Sequence, residues 1–347
     1  MRILYGVCGE GYGHSSRAKE IISHLKNQGH KILIITYGKA YEVLKKSNTV
    51  KTEGISVIYE KEKLSLHKTM FKSMQNLFKD FKNFKKIKSA IDKFSPEICI
   101  SDMELITPII AYLYKLPLIS IDNQHLLTNT KTKIPKRYRV SYHIAKITIK
   151  SCVPKADEFI VLSFKKTKPT HKNTHIVSPI LRKEITALKP KIKNYILVYL
   201  SKPCQNLPHI LKSIPENFII YGQDKSEKIK NIEFKNPSQN FIKDLANCKA
   251  IIGSAGFSLI SEALYLKKPY FAIPLKGQFE QTFNAIFLKK SQLGTYSEKI
   301  SPIKIKKFLS NLPIYRKNLK NYTINPREAI LVLDKILKKY HKKPQVY

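Results

Sequence analysis

Apolar residues recur along this chain in two rhythms. Short runs of aliphatic and β-branched residues alternate with longer stretches in which apolar positions return every three or four residues. Residues 2–7 read as a strand, and the segment CGEGYGHSSR follows it. Ala18, Ile21, Ile22 and Leu25 then mark one face of a helix, Gly29 ends it, and Lys31–Thr36 is the next strand. A β-α-β unit of this kind predicts a parallel sheet with a right-handed crossover. Glu97–Ser101, Leu118–Ile121 and Phe159–Leu162 continue the strand series.

The pattern weakens after residue 164, and 171–194, rich in Lys, Thr, Pro and His, reads as a linker. Alternation restarts with strands at Tyr195–Leu200 and Phe218–Tyr221 and a helix beginning within Phe241–Leu245. The strand Ala250–Ile252 enters a turn of small residues, Gly253-Ser254-Ala255-Gly256. A helix from about Phe257 carries Glu262, Pro269 stops it, and Tyr270–Ile273 is a strand. A polar loop then ends in Glu280, Gln281 and Asn284. The resulting division is 1–170, a linker at 171–194, 195–325, and a final helical segment 326–347 expected to pack back on the first half.

Residues 61–93 read as one basic amphipathic helix. Phe71, Met74, Phe78, Phe81, Phe84, Ile87 and Ile91 recur at helical spacing among ten lysines and three acids. Such a stripe ordinarily packs on its own domain; the sharper reading is a face that leans on anionic lipid headgroups.

Composition narrows the picture. A length of 347 residues suits two domains, and 43% apolar residues suffice for ordinary cores. Cys8, Cys99, Cys152, Cys204 and Cys248 are scattered and form no C-x-x-C pair, which predicts neither a disulfide framework nor a zinc site. The net charge of +38, from 63 Lys+Arg against 25 Asp+Glu, favours polyanionic or phosphorylated partners. A general lysine bias explains the same excess, because the lysines are spread along the whole chain. The apolar region Leu105–Ile121 is broken by Pro108, Lys115 and Pro117 and is not a membrane span. The N-terminus lacks the core and cleavage site of a signal peptide. The expected location is cytoplasmic, with peripheral contact at the membrane.

In open parallel sheets, ligands bind outside the carboxyl ends of the strands. Those ends carry the polar residues here. Gly9-x-Gly11-x-Gly13-His14 follows the first strand; it is not the dinucleotide fingerprint, because Ser15 and Ser16 stand where a third glycine would be. Asp102 and Glu104 follow another strand, and Asp122, Asn123, Gln124 and His125 a third. In the second half the strand ends deliver Ser201-Lys202 and Gly222-Gln223. The turn into the Phe257 helix aims backbone N–H groups and the positive helix end at one point, which suits a phosphate.

Taken together, G-S-A-G-F-x-x-x-x-E, P-x-x-x-Q-F-E-Q-x-x-N-A and the opening glycine turn ending in His resemble a glycosyltransferase of the GT-B fold. The C-terminal half is similar to MurG-type enzymes, which move N-acetylglucosamine from UDP onto a lipid-linked acceptor. VCGEGYGH and SIDNQH look closer to archaeal and bacterial relatives labelled teichoic-acid biosynthesis proteins. The resemblance implies an α/β fold of two Rossmann-like domains facing each other across a cleft. It implies that Gly256, Phe257 and Ser258 face the donor diphosphate, that Glu262 holds the ribose, and that Glu280 and Gln281 meet the transferred sugar. Ser201, Lys202, Gly222, Ser254 and Lys276 complete the expected donor site; Gly11, Gly13, Asn123 and His125 are expected near the acceptor. The chain departs from the pattern at Ser254, where the relatives carry arginine, and at Ser201-Lys202-Pro203, where they carry glycines. Glu280-Gln281 replaces a pair of glutamines, which leaves the sugar open.

The chemistry expected is metal-independent transfer from a nucleotide-sugar, a UDP-hexose such as UDP-N-acetylglucosamine, to a hydroxyl acceptor of the cell envelope. No D-x-D sequence is present to hold a divalent cation. No cofactor is expected; the helix N-terminus with Lys202 or Lys276 would stabilise the leaving diphosphate. His14 is the expected base, oriented by Asp102, with Asp122 the competitor for either role. A backbone-bonded histidine closing the turn is the plain alternative for His14, and a helix-dipole acid the alternative for Glu262. Rival functions are a UDP-sugar 2-epimerase of the same fold, a nucleic-acid binder suggested only by charge, and a membrane-surface scaffold without activity.

Overall fold

The computed structural model describes residues 1–341 except Lys61, Glu62, Pro203, Gln205, Asp224 and Lys225. Pro203 of the Ser201-Lys202-Pro203 segment, the first two residues of the 61–93 stretch and the end of the 326–347 segment therefore lie outside the described residues. The chain divides into two compact units. One takes Met1–Glu60, Leu64–Arg182 and the chain from Asn325 on; the other takes 183–324.

In the first unit, strands β1 (Arg2–Val7), β2 (Lys31–Thr36), β3 (Thr49–Lys51), β4 (Ile98–Asp102), β5 (Leu118–Asp122), β6 (Glu158–Leu162) and β7 (Thr174–Val177) form one sheet of order β3-β2-β1-β4-β5-β6-β7. Every pairing in it is parallel. The central strands are sealed on both faces, which is why Ile3, Leu4, Tyr5 and Val7, or Ile32 to Ile35, read as unbroken apolar runs. Helix α1 (Tyr12–Asn27) connects β1 to β2 and buries Ala18, Ile21, Ile22 and Leu25. The chain runs outward from β1 to β3, then returns to place β4 on the other side of β1. That reversal is the switch point at which such sheets bind ligands. Val7 stands beside Asp102 in the register, so the turn after β1 opens next to the end of β4.

Two expectations for this unit are corrected. The basic stretch is not one helix. It forms α2 (Leu66–Lys82) and α3 (Phe84–Phe94), broken at Asn83. Ile87 and Ile91 of α3 are buried, but Phe71, Met74, Phe78 and Phe81 of α2 are exposed. The segment 171–194 is not wholly a linker either. It contains β7, which pairs with β6 from Phe159–Thr174 to Leu162–Val177. A four-residue edge strand needs only backbone partners, so its apolar signal is slight.

The second unit repeats the plan. Strands β8 (Ile196–Tyr199), β9 (Phe218–Tyr221), β10 (Lys228–Ile229), β11 (Ile232–Lys235), β12 (Ala250–Ser254), β13 (Tyr270–Ile273) and β14 (Gly294–Tyr296) take the order β10-β11-β9-β8-β12-β13-β14. Among the described residues of this sheet, only β10 runs antiparallel to its neighbour. The core gathers Ile196, Val198, Phe218, Ile220, Ile252 and Phe271 under flanking helices. Helix α5 (Pro237–Asn247) starts four residues earlier than the pattern indicated, with proline in its first turn; it precedes β12 as α3 precedes β4, and α4 (Ile106–Leu113) follows β4 in the first unit. Helices α6 (Phe257–Tyr265) and α7 (Phe279–Lys290) follow β12 and β13.

Strand β12 runs on through Gly253 and Ser254, leaving only Ala255-Gly256 as the turn. Tyr270 explains the extension. Its hydroxyl donates to the Ser254 carbonyl at 2.8 Å. A Cβ at position 253 would stand 2.3 Å from that hydroxyl oxygen.

The last helix, α8 (Glu328–His341), packs on β6 and β7 of the first unit. Glu328 accepts from the Ser178 N–H at 2.8 Å and its hydroxyl at 2.6 Å; Lys339 donates to Glu158 at 2.6 Å. Among the described residues no helix is long and apolar enough to cross a membrane.

Candidate active site

The turn after β1 is shaped by glycines. Gly11 caps α1 at φ 78°, a conformation that L side chains seldom adopt, and nothing lies within 4 Å of where its Cβ would be. Gly9 serves packing, since a Cβ there would meet the Tyr37 carbonyl at 2.2 Å. Helix α1 then starts at Tyr12, so Gly13 and His14 sit in its first turn and Arg17 one turn further on the same face.

His14 Nδ1 lies 2.7 Å from Asp102 Oδ1. Arg17 Nε donates to Asp102 Oδ2 at 2.6 Å, its Nη2 also reaches Asp102 Oδ1, and its Nη1 donates to Asn123 Oδ1 at 3.0 Å. Arg17 Nη2 stands 2.7 Å from His14 Nδ1 as well. Asp102 is fully buried, and burial alone would raise its pKa. The attraction of Arg17, and then of His14, outweighs burial and holds the carboxyl below its ordinary range. His14 Nδ1 thus faces an acceptor in Asp102 and a donor in Arg17; in the tautomer that carries the proton on Nδ1, that N–H donates to Asp102. The lone pair then stands on Nε2, toward which Gln124 Nε2 donates at 3.4 Å.

Asp122 is placed differently from the role weighed for it. It is fully buried, accepts from the His125 N–H at 2.8 Å and Ser120 Oγ at 2.7 Å, and lies 2.7 Å from His125 Nδ1. Burial would raise its pKa, but His125 and these hydrogen bonds pull it down to about 2. This closed pair supports the turn that presents Asn123 and Gln124. His125, expected near the acceptor, is itself buried in that pair.

Glu104 is also structural. It accepts from the N–H groups of Ile106 and Thr107, each at 2.8 Å, and so caps α4. Burial raises its pKa against those hydrogen bonds. Gly6 leaves room for it, since a Cβ there would stand 2.6 Å from Glu104 Oε2.

In the second unit the register aligns the strand ends: Tyr199 stands beside both Tyr221 and Gly253. Ser201 N–H donates to Ser254 Oγ at 2.8 Å, bringing two of the expected donor residues together. Gly222 turns the chain after β9 at φ 84°. Gly256 caps α6 without a side-chain cap hydrogen bond and with open space where a Cβ would be. Phe257 is buried, Ser258 half-buried, and Glu262 lies buried along α6. Asn284 Nδ2 donates to the Ala255 carbonyl at 3.1 Å and pins the turn from α7. Gln281 Oε1 is occupied by the Leu275 N–H at 3.1 Å, so that oxygen braces the loop. Glu280 is half-buried; Lys202 and Lys276 are exposed.

Sequence reasoning missed Arg17 and gave Gln124 no role. The signal for Arg17 was its spacing of three from His14 on one helix. Among the described residues no cluster of three His, Cys, Asp or Glu side chains is arranged to hold a metal ion.

Two units of largely parallel sheet, each with polar residues at the carboxyl ends of its strands, make up the GT-B fold. The chain belongs to glycosyl transferase family 1, whose family model matches residues 1–313. It is 23% identical over 329 residues to an uncharacterized glycosyltransferase of Methanosarcina acetivorans, covering 85% of each chain. Among solved structures, Phytolacca americana UGT2 in complex with UDP-2-fluoro-glucose and pterostilbene superposes with a TM-score of 0.68 at 12% identity, covering 98% of this chain and all of that one. Acinetobacter baumannii MurG gives 0.60 at 17% identity over 97% of this chain and 99% of its own.

Proposed function

We propose that this glycosyltransferase transfers a hexose from UDP to a hydroxyl acceptor by a single inverting displacement that needs no metal. The observation that carries the proposal is the 2.7 Å contact of His14 Nδ1 with Asp102 Oδ1; in the reading with Nδ1–H on the carboxylate, Nε2 is left as the proton acceptor. In this reading Nε2 takes the acceptor's hydroxyl proton, and the oxygen attacks the anomeric carbon. The bond from that carbon to the diphosphate oxygen breaks, its electron pair leaves with UDP, and one displacement inverts the anomeric centre. Asp102 stabilises the imidazolium that forms.

The leaving diphosphate gains negative charge, which the first-turn amides of α6 and the positive end of its dipole would meet. Lys202 and Lys276, both exposed, are the cations assigned to the leaving phosphates. Glu262 is assigned to the ribose. UDP is favoured because a fold neighbour, the Phytolacca enzyme, was solved with a UDP-sugar. A lipid-linked hydroxyl is the acceptor class to assay first.

Melting temperature in the presence of single nucleotides tests the donor. A ligand bound only by the folded state raises the midpoint by mass action. Selective stabilisation by UDP is expected, and no shift with any nucleotide would overturn the donor assignment. Turnover that persists in EDTA, with a product of inverted anomeric configuration by proton NMR, tests the rest.

A further inference from the structure

We infer that the outer face of α2 is a docking surface for an anionic lipid bilayer. The helix is inside out. Met70, Phe71, Met74, Phe78 and Phe81 are 71%, 60%, 51%, 62% and 56% exposed. At 100° per residue they share an arc of about 100°. The face turned to the protein is polar. Asn76 and Asp80 are each 3% exposed.

That polar face has a structural task. The backbone of 53–58 has no sheet neighbour, and α2 side chains supply its partners. Asp80 accepts from the N–H groups of Glu53 at 2.8 Å and Gly54 at 3.0 Å. Asn76 donates to the Gly54 carbonyl at 3.0 Å and Ser56 Oγ at 2.8 Å. Thr69 Oγ1 accepts from Ile58 N–H at 3.0 Å, and Ser73 Oγ from Ser56 N–H at 3.3 Å. Rotating α2 to bury its phenylalanines would strip these part-buried backbone groups of partners. The helix is therefore held with its apolar side outward.

Charge selects the occupant. Each of α2 and α3 carries four lysines and one aspartate. Asp80 is spent on the 53–54 amides, and Asp92 pairs with Lys88 at 2.6 Å. Lys72, Lys79 and Lys82 border the apolar arc on one side. Bulky apolar side chains beside a lysine row suit insertion at the headgroup boundary of an anionic bilayer, with the ammonium groups on the lipid phosphates. The supporting segment is also tied to the glycine turn before His14, because Glu10 Oε1 accepts from Val57 N–H at 3.0 Å. The inference rests on this surface alone and does not depend on the donor or acceptor proposed above.

The test is flotation of the full chain with vesicles of phosphatidylcholine alone or mixed equally with phosphatidylglycerol. Binding is expected on the anionic vesicles only and is weakened by salt. The variant Phe71→Ser/Phe78→Ser/Phe81→Ser should lower the bound fraction at least tenfold with an unchanged melting temperature. Lys79→Glu/Lys82→Glu should do the same without touching the apolar face. Absence of binding, equal binding to neutral vesicles, or an undiminished serine variant would overturn the inference. So would a face whose serine substitutions abolish binding to single-stranded RNA, or a self-association, while vesicle binding is absent or unchanged.

Discussion

Arg17 and Asp102, eighty-five positions apart, meet in a buried fork in which Arg17 Nε donates to Asp102 Oδ2 at 2.6 Å. The fork makes a carboxylate tolerable beneath His14. Removing one partner of a buried ion pair leaves the other charge uncompensated. Arg17→Met should therefore lower unfolding free energy by about 3–5 kcal/mol, read from urea midpoints. Arg17→Lys should cost less, since it keeps the charge but cannot span Asp102 and Asn123 together.

Base catalysis by His14 predicts a split between turnover and affinity. His14→Ala should reduce kcat by roughly 10²–10⁴-fold, the usual yield of a positioned base. The affinity for UDP should stay within about threefold, because the residues assigned to the donor lie on other elements. Calorimetry on the variant checks the second half independently of the assay. Survival of turnover within a few-fold would remove His14 from the base role.

Acid should weaken the first unit through Asp122. Its folded pKa is depressed to about 2, so its contribution is fully present above the unfolded value near 4 and is lost as pH falls through the folded one. The contribution is on the order of 2 kcal/mol. Asp122→Asn should be less stable than the parent at pH 7. The gap should narrow toward pH 2, in denaturation curves measured at both limits. Asp102, also depressed, acts in the same direction.

Two neighbouring glycines should respond in opposite ways. A methyl at Gly253 would collide with the Tyr270 hydroxyl at 2.3 Å, so Gly253→Ala should cost about 1–3 kcal/mol of stability. A methyl at Gly256 meets nothing within 4 Å and suits its backbone angles. Gly256→Ala should leave the melting temperature nearly unchanged. It should weaken nucleotide binding at least about tenfold, because the new methyl stands over the amide end of α6. Differential scanning fluorimetry with and without UDP separates the two effects.

Central strands were legible with the exception of Ile232–Lys235, which went unnoticed although it pairs on both sides. Ile3–Val7, Ile32–Ile35 and Tyr270–Ile273 announce themselves because both their faces are buried. Thr49–Lys51, Thr174–Val177 and Gly294–Tyr296 escaped notice, and all three are edge strands held chiefly by backbone pairing. His14 and Asp102 were legible as residues at strand ends. Arg17 was not, because the partner that keeps it buried is remote in the chain. Helix α2 teaches a different lesson: periodicity reveals a stripe but not which way it faces. Thr69, Ser73, Asn76 and Asp80 form an equally regular polar stripe, and it was that stripe the fold used.

Because α8 belongs with β6 and β7, the first unit is assembled from pieces that flank the second. On the ribosome, 183–324 emerges as an uninterrupted block, whereas its partner must wait for Glu328 and beyond before its outer strands are covered. Nascent chains stalled short of residue 325 should therefore leave β6 and β7 vulnerable to protease, a delay written into the order of synthesis.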